Sequence, residues 1–304
     1  MPSQGMKPIP LEDEYSKNTG ITPEDIAKLR QWLKTQPHLP EQHITDLDLI
    51  LSFHCCNRSA ELAKQVLDLN ITLRTLFTNY FKDRKFDADI EKTVNYVSMS
   101  ILPTRTAEGY AILYCHLLNY DTKPFNFGQC LRTVFMILDI FQMEEGTWPG
   151  LQLVIDFEGV SLGHITKLEL LNIQQFLYYL QEAILVKLKG LHFTNAPSFI
   201  DKLLLMMKPF MKKALMDSLF IHTTGSKTLE KYIPIEALPK ESGGQYKTFQ
   251  EIKDDVLEKL RDYKEYFENE NKRRVTESLR PGKPKTISDI FGGVEGSFKK
   301  LEID

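Results

Sequence analysis

Apolar residues recur every three or four positions through the first ninety residues, and then crowd into short, nearly unbroken runs. The first pattern predicts helices. Thr22-Pro23-Glu24-Asp25 reads as a helix start, with Thr22 able to cap, Pro23 at the first helical position and Asp25 completing a capping-box-like spacing. Ile26, Leu29, Trp32 and Leu33 follow at helical intervals until Pro37. Asp46–Phe53 and Ala60–Tyr80 read as two more amphipathic helices, the second with a stripe of Leu62, Val66, Leu69, Leu73 and Leu76. An all-helical bundle reaching about residue 90 is expected. The second pattern predicts strands at Tyr110–Leu117, Leu151–Phe157, Gly190–Thr194 and Ser218–His222. Helical stretches, Phe127–Met143 and Ile165–Lys187 among them, separate these strands. Apolar strands alternating with helices indicate an α/β fold with a mostly parallel sheet covered by helices.

One segment fits neither pattern cleanly. Pro197–Leu219, PSFIDKLLLMMKPFMKKALMDSL, is long enough for a helix, yet Leu203 to Met207 run consecutively and leave it apolar around most of its circumference. Such helices are normally buried. This one is interrupted by Pro209 and carries Lys202, Lys208, Lys212 and Lys213, so it must also meet water or an anionic surface. It suits a movable cover over an apolar cavity, and an ordinary core helix is the competing reading.

Beyond it, residues 226–244 read as a short helix, turn and loop, and Phe249–Arg274 as one charged surface helix with a narrow stripe of Ile252, Val256, Leu260, Tyr263 and Phe267. The chain divides into an arm (1–20), a helical unit (21–92), an α/β unit (93–246), the charged helix (247–279) and a tail (280–304), whose last part is expected to dock on the body.

Charge and composition narrow the function. A formal net charge of −3 argues against a nucleic-acid binder held by bulk electrostatics. The N-terminus lacks the apolar core of a secretory signal, and no apolar run approaches the ~20 residues of a membrane span, so a cytoplasmic protein is expected. Cys55, Cys56, Cys115 and Cys130 show no metal or disulfide spacing and are expected as reduced thiols. The seven histidines match no zinc pattern, so neither a metal nor a cofactor is expected. GxGxxG, GxxxxGK[ST] and GxSxG are missing. Asp156 and Glu158 could serve acid/base chemistry or organise a loop by accepting backbone N–H bonds. His164 has no evident partner, and His192 sits within an apolar strand. Nothing here asks for an enzyme.

The order of the pieces is more specific. LQLVIDFEGVSLGHITKL, LKGLHFTNAPSFIDKLLLMMKPFMKKALMDSLFIH and LPKESGGQ resemble the lipid-binding domain of the CRAL-TRIO family. The resemblance rests on the DFEG turn at Asp156–Gly159, the [KR]GxHxxN strand at Lys189–Asn195, KPF at Lys208–Phe210 and LPxExGG at Leu238–Gly244. It covers roughly residues 20–275, less closely in the N-terminal helices. Among family members the chain is most similar to insect proteins of the α-tocopherol transfer type, down to its VEGSFKKLEID ending. The resemblance implies a carrier that encloses a hydrophobic lipid between the sheet and a mobile gate helix, here Asn195–Ser218. Carried over by motif, its pocket positions fall on Leu151, Ile155, Val160, Leu162, Leu168, Phe176, Tyr179, Ile184 and Val186. Cys130, Thr133 and Ile137 of the preceding helix and Leu204 and Met207 of the gate join them. Cys130, Thr133 and Tyr179 are the polar candidates to hold a hydroxyl or carbonyl.

The resemblance also implies a basic surface for phosphoinositide headgroups, which Lys187, Lys189, Lys208, Lys212 and Lys213 could supply. The match departs from the family there. Two gate positions that are basic in tocopherol-transfer relatives are Ala214 and Ser218, and the family's arginine-bearing FLRAR run reads Phe53-His-Cys-Cys-Asn before Arg58. The function expected is therefore transport of a small isoprenoid-like lipid (tocopherol, a retinoid or carotenoid, or juvenile hormone) by a monomer that meets membranes transiently. A membrane-recruited, phosphoinositide-responsive adaptor is the alternative.

Overall fold

A computed structural model describes residues 5–292. The chain opens with α1 (Leu11–Ser16), α2 (Pro23–Leu33), α3 (Asp46–Cys55), α4 (Ala60–Leu76), α5 (Thr78–Phe81) and α6 (Ala88–Tyr96). At the start of α2 the Thr22 side chain accepts from the Asp25 amide at 3.3 Å while Asp25 accepts from the Thr22 amide at 3.1 Å, completing the expected capping box. The arm ahead of it is anchored by the Ile9 amide on the Met143 carbonyl, by Lys17 on the Glu145 and Thr147 carbonyls, and by a buried carboxylate. Glu14, 1% exposed, takes hydrogen bonds from the Thr147 hydroxyl at 2.5 Å and amide at 3.1 Å.

The sheet has five strands in the order β1 (Val97–Leu102), β2 (Ala111–Leu117), β3 (Leu151–Asp156), β4 (Leu188–Ala196) and β5 (Leu219–Thr223). The last four are parallel, and β1 pairs antiparallel with β2. The sequence pattern predicts only the parallel four. β1 escapes it because VSMSIL alternates serine with apolar residues and follows α6 with no turn between them. Each parallel crossover steps to the next strand in the same direction, so right-handed connections bring α7 (Phe127–Glu145), α8 (Leu162–Ile165), α9 (Leu170–Glu182), α10 (Ile200–Met207) and α11 (Lys213–Asp217) to one face. The other face is covered by the segment after β5, where Leu229, Ile233, Ala237, Leu238 and Phe249 pack on Ile112, Tyr114 and Val154. With both faces covered, the parallel strands are apolar almost throughout.

The predicted helix over 249–274 is two helices, α12 (Phe249–Asp262) and α13 (Lys264–Glu270), parted at Tyr263. α14 (Ile287–Phe291) docks through Phe291, which stacks on Phe77 with ring centroids 6.0 Å apart and meets Tyr178 edge-on. The VEGSFKKLEID ending lies outside the described residues.

A buried ionic cluster ties these parts together. Arg74 of α4 pairs with Asp139 of α7 at 2.8 Å and with Glu270 of α13 at 3.1 Å. Arg84, fully buried, reaches Asp139 at 2.6 Å and Glu270 at 2.8 Å. Burial alone would raise the Glu270 carboxyl, yet Arg84, Arg74 and Arg274 bring it down to about 2. Because this folded pKa lies below the unfolded value, the group adds stability above about pH 4.3 that is lost as pH falls toward 2. Glu270→Ala leaves two buried guanidinium groups sharing the single Asp139 carboxylate and is expected to cost about 3–5 kcal/mol in urea unfolding at neutral pH; a loss under about 1 kcal/mol would show that the cluster does not couple the parts.

Candidate functional site: an apolar cavity between sheet and helices

Alternation along the strands sends Val97 and Met99, Leu113, Cys115 and Leu117, Leu151, Leu153 and Ile155, and Leu191 and Phe193 to the helix-covered face, where they floor a cavity of about 190 Å³. α7 supplies one wall through Cys130, Leu131, Val134, Phe135 and Leu138. α9 supplies another through Ile173, Phe176, Leu177 and Leu180. The surface facing the cavity is entirely apolar.

The segment predicted as one helix closes the top in pieces. α10 ends at Met207, a single 3-10 turn spans Lys208–Phe210, and α11 starts at Lys213. Pro209 cannot donate to the helical ladder, and the chain turns extended at Met211 and Lys212. Leu203, Met207, Met211 and Leu215 are buried at four-residue spacing, and of these Leu203 and Met207 reach the cavity. Leu205 points outward at 71% exposure, and Met216 is also exposed. The break is bracketed by Gln181 at the end of α9. Its amide donates to the Phe210 carbonyl at 2.9 Å and accepts from the Lys212 amide at 2.6 Å.

Eight of the residues expected from sequence line the cavity: Cys130, Leu151, Ile155, Val160, Leu168, Phe176, Ile184 and Met207. Six do not. On α7 the inward face runs through 130, 131, 134, 135 and 138, so Thr133 and Ile137 fall beside it, and the Thr133 hydroxyl donates to the Gln129 carbonyl at 2.8 Å. The Tyr179 hydroxyl turns toward the N-terminal helices and accepts from the Asn70 amide at 2.9 Å. Leu162 opens α8 facing solvent at 43% exposure. Val186 lines a separate groove with Cys55 and Cys56, and Leu204 is half-buried on the gate helix without reaching the cavity. Leu113, Leu153, Val134, Phe193 and Leu203 are among the lining residues the motif match overlooked. Strand alternation and the inward face of α7 would have found all but the last.

Of the lysines, Lys208, Lys212 and Lys213 are exposed, with Lys212 paired to Glu182 and Lys213 to Asp217. Lys189 lies 5.6 Å over the Tyr110 ring. Lys187 is half-buried, and burial and Lys189 lower its pKa.

The polar groups around the cavity organise structure. Asp156 accepts from the Glu158 amide at 3.0 Å, the Asn195 amide group at 2.8 Å and the Tyr114 hydroxyl at 2.6 Å, and pairs with His116 at 3.2 Å. Burial opposes ionisation of Asp156, but these bonds hold its pKa below the ordinary value. They fix the Asp156–Gly159 turn, whose Gly159 is required twice over: φ is +75°, and a Cβ would lie 2.1 Å from the Tyr120 ring. His116, Asp156 and Glu158 could close around a cation, but both Asp156 oxygens are already engaged. His164 accepts the Ser161 amide proton at 3.0 Å on Nδ1, so Nε2 donates to the Tyr96 hydroxyl at 2.9 Å, which itself donates to the Asp121 carbonyl. Neither His164 nor His192 touches a carboxylate among the described residues.

His192 and His222 form a neutral relay on the far face of the sheet. His192 Nε2–H donates to Gln152 Oε1 at 3.0 Å, His222 Nε2–H donates to His192 Nδ1 at 3.0 Å, and the Thr228 hydroxyl donates to His222 Nδ1 at 2.7 Å.

Comparison with known proteins agrees with this architecture. Residues 96–244 match the family model described as CRAL/TRIO domain, and residues 20–90 match that described as Pinta-like, UBA domain. The two matches fall on the sheet with its covering helices and on the N-terminal helices ahead of it. It is 26% identical over 246 residues to Clavesin-1 of Xenopus laevis, spanning 79% of this chain and 74% of that protein. To the alpha-tocopherol transfer protein-like protein of Mus musculus it is 22% identical over 271 residues, spanning 80% and 76%. The crystal structure of Sfh5 aligns with a TM-score of 0.44 at 12% identity, covering 91% of this chain and 96% of that one.

Burial, and then His222, lowers the His192 pKa to about 4. The unfolded chain therefore binds a proton there that the folded chain refuses, and stability falls as pH drops from about 6.5 toward 4. His192→Gln is expected to flatten that part of the melting-temperature profile; an unchanged slope would place the acid sensitivity elsewhere.

Proposed function

We propose that this protein carries a small, isoprenoid-like hydrophobic lipid, of the size class of tocopherol, a retinoid or carotenoid, or juvenile hormone, and exchanges it at membrane surfaces. The observation that carries the reading is a wholly apolar cavity between sheet and helices, capped by a broken helix that is apolar on both sides. Burying lipid surface there yields about 25 cal/mol per Å². As closed, the cavity of about 190 Å³ is not far above the roughly 150 Å³ of an engineered cavity that takes up benzene. A larger lipid requires the gate to move outward, and Met207 and Met211 are side chains soft enough to repack around it. The CRAL/TRIO match and the tocopherol-transfer relative support lipid binding and transfer.

The gate's outer face is the membrane-facing surface in this reading. Leu205 and Met216 enter the interface, and Lys208, Lys212 and Lys213 draw the protein to anionic headgroups. No described helix is long and apolar enough to cross a membrane. The adaptor alternative has less support: two of these lysines already have carboxylate partners, and Lys187 is half-buried beside Cys55 and Cys56.

Native mass spectrometry of the purified protein, with organic extraction, is expected to show a bound apolar lipid. Leu153→Trp, which fills the cavity from its floor, is expected to abolish that uptake. Leu205→Asp is expected to slow lipid transfer to anionic vesicles while leaving the bound amount unchanged. A clean extract that also takes up none of the candidate lipids removes the carrier reading.

A further inference from the structure

The carrier reading leaves open whether the ligand is recognised by a polar group. The cavity wall answers this through its hydrogen-bond inventory. The three polar residues that sequence offers for a hydroxyl or carbonyl are unavailable or poor partners. Thr133 spends its hydroxyl on the Gln129 carbonyl, and Tyr179 turns its hydroxyl to Asn70, both outside the cavity lining. Cys130 does border the cavity, but it offers only a thiol, a weak donor and weak acceptor.

Cys115 adds a second thiol to the floor, and His116 pairs with Asp156 and stacks on Phe249 of the opposite face; the other titratable residues at the wall are committed. His164 is used at both ring nitrogens by Ser161 and Tyr96, and Asp156 is saturated by Tyr114, Asn195, the Glu158 amide and His116. The floor is a ladder of paired strands and the walls are helices, so their backbone groups are bonded to one another. No polar atom is exposed to the cavity.

We propose that the enclosed ligand is an isoprenoid of hydrocarbon character, with no hydrogen-bonding group inside the cavity. The inference rests on the carrier reading and narrows it. A phenol, alcohol or aldehyde taken into this space would give up its water partners and find none in exchange. Among the candidate classes, an unoxygenated carotenoid-type hydrocarbon satisfies the wall, whereas tocopherol and retinoids would leave a polar head unpaired.

The test compares farnesene with farnesol, the same carbon framework bearing a terminal hydroxyl, by displacement of bound diphenylhexatriene, itself a hydrocarbon. Concentrations are taken as unbound ligand. Farnesene is expected to displace at about 10- to 100-fold lower concentration, the range in which an apolar pocket rejects an added hydroxyl. Leu153→Thr, which sets a hydroxyl on the floor, is expected to narrow that gap at least about threefold. Farnesol displacing as well as farnesene, or a gap untouched by Leu153→Thr, overturns the inference and leaves the carrier reading standing. If the protein binds neither diphenylhexatriene nor either terpene, both fall together.

Discussion

A stable protein ordinarily fills its core, and this one leaves about 190 Å³ between sheet and helices unfilled by its own side chains. At about 24 cal/mol per Å³, an unfilled space of that size withholds about 5 kcal/mol, comparable with the whole stability of a small domain. The rest of the fold is arranged to hold the space open. The sheet is braced from behind by the segment after β5, so its inward residues cannot sink toward the opposite face. The wall helices are stiffened by aromatic contacts, with Phe135 of α7 within 4.9 Å of Tyr179 and 5.3 Å of Phe81 between ring centroids. The cluster of Arg74, Arg84, Asp139 and Glu270 then locks α7 to the N-terminal and C-terminal helices, fixing the wall from outside.

Against that rigid frame the covering segment is weakly attached. It contributes Leu203 and Met207 to the cavity and Met211 and Leu215 to the core, and its break is held by two hydrogen bonds from Gln181. Its ion pairs are made by exposed lysines, and such pairs contribute little. Elements with few buried contacts and solvent-accessible bonds occupy the low-stability end of a structure. Pro209 serves this arrangement by stopping a continuous helix from forming across the top, so that α10 is joined to α11 by a turn instead of a full ladder.

Much of this was legible in the sequence because motif and period report directly on backbone geometry. The Asp156–Gly159 turn and the Gly190 strand specify close approaches that few residues allow: a Cβ at Gly190 would strike Gln152 and His192. The near-continuous apolar runs mark strands covered on both faces. What the pattern could not report was direction. Thr133 and Tyr179 are one helical step from lining residues, and a position count from a motif does not carry the rotation of a helix. β1 was missed because its serines mimic an exposed strand, although Ser98 and Ser100 are both buried. Gln181 carries no signal at all, since a glutamine at a helix end is ordinary until its partner, a chain break 29 residues away, is placed beside it.

The claim at the centre of this account is that the segment over 200–217 is a cover that opens and that a ligand holds shut. Hydrogen exchange of its backbone amides, measured with and without a bound apolar lipid, tests it most directly. The account predicts fast exchange in α10 and α11 without ligand, against slow exchange in α7 and β3, and marked slowing in the cover alone when lipid is bound. Exchange in the cover as slow as in α7, and unchanged by lipid, would contradict it.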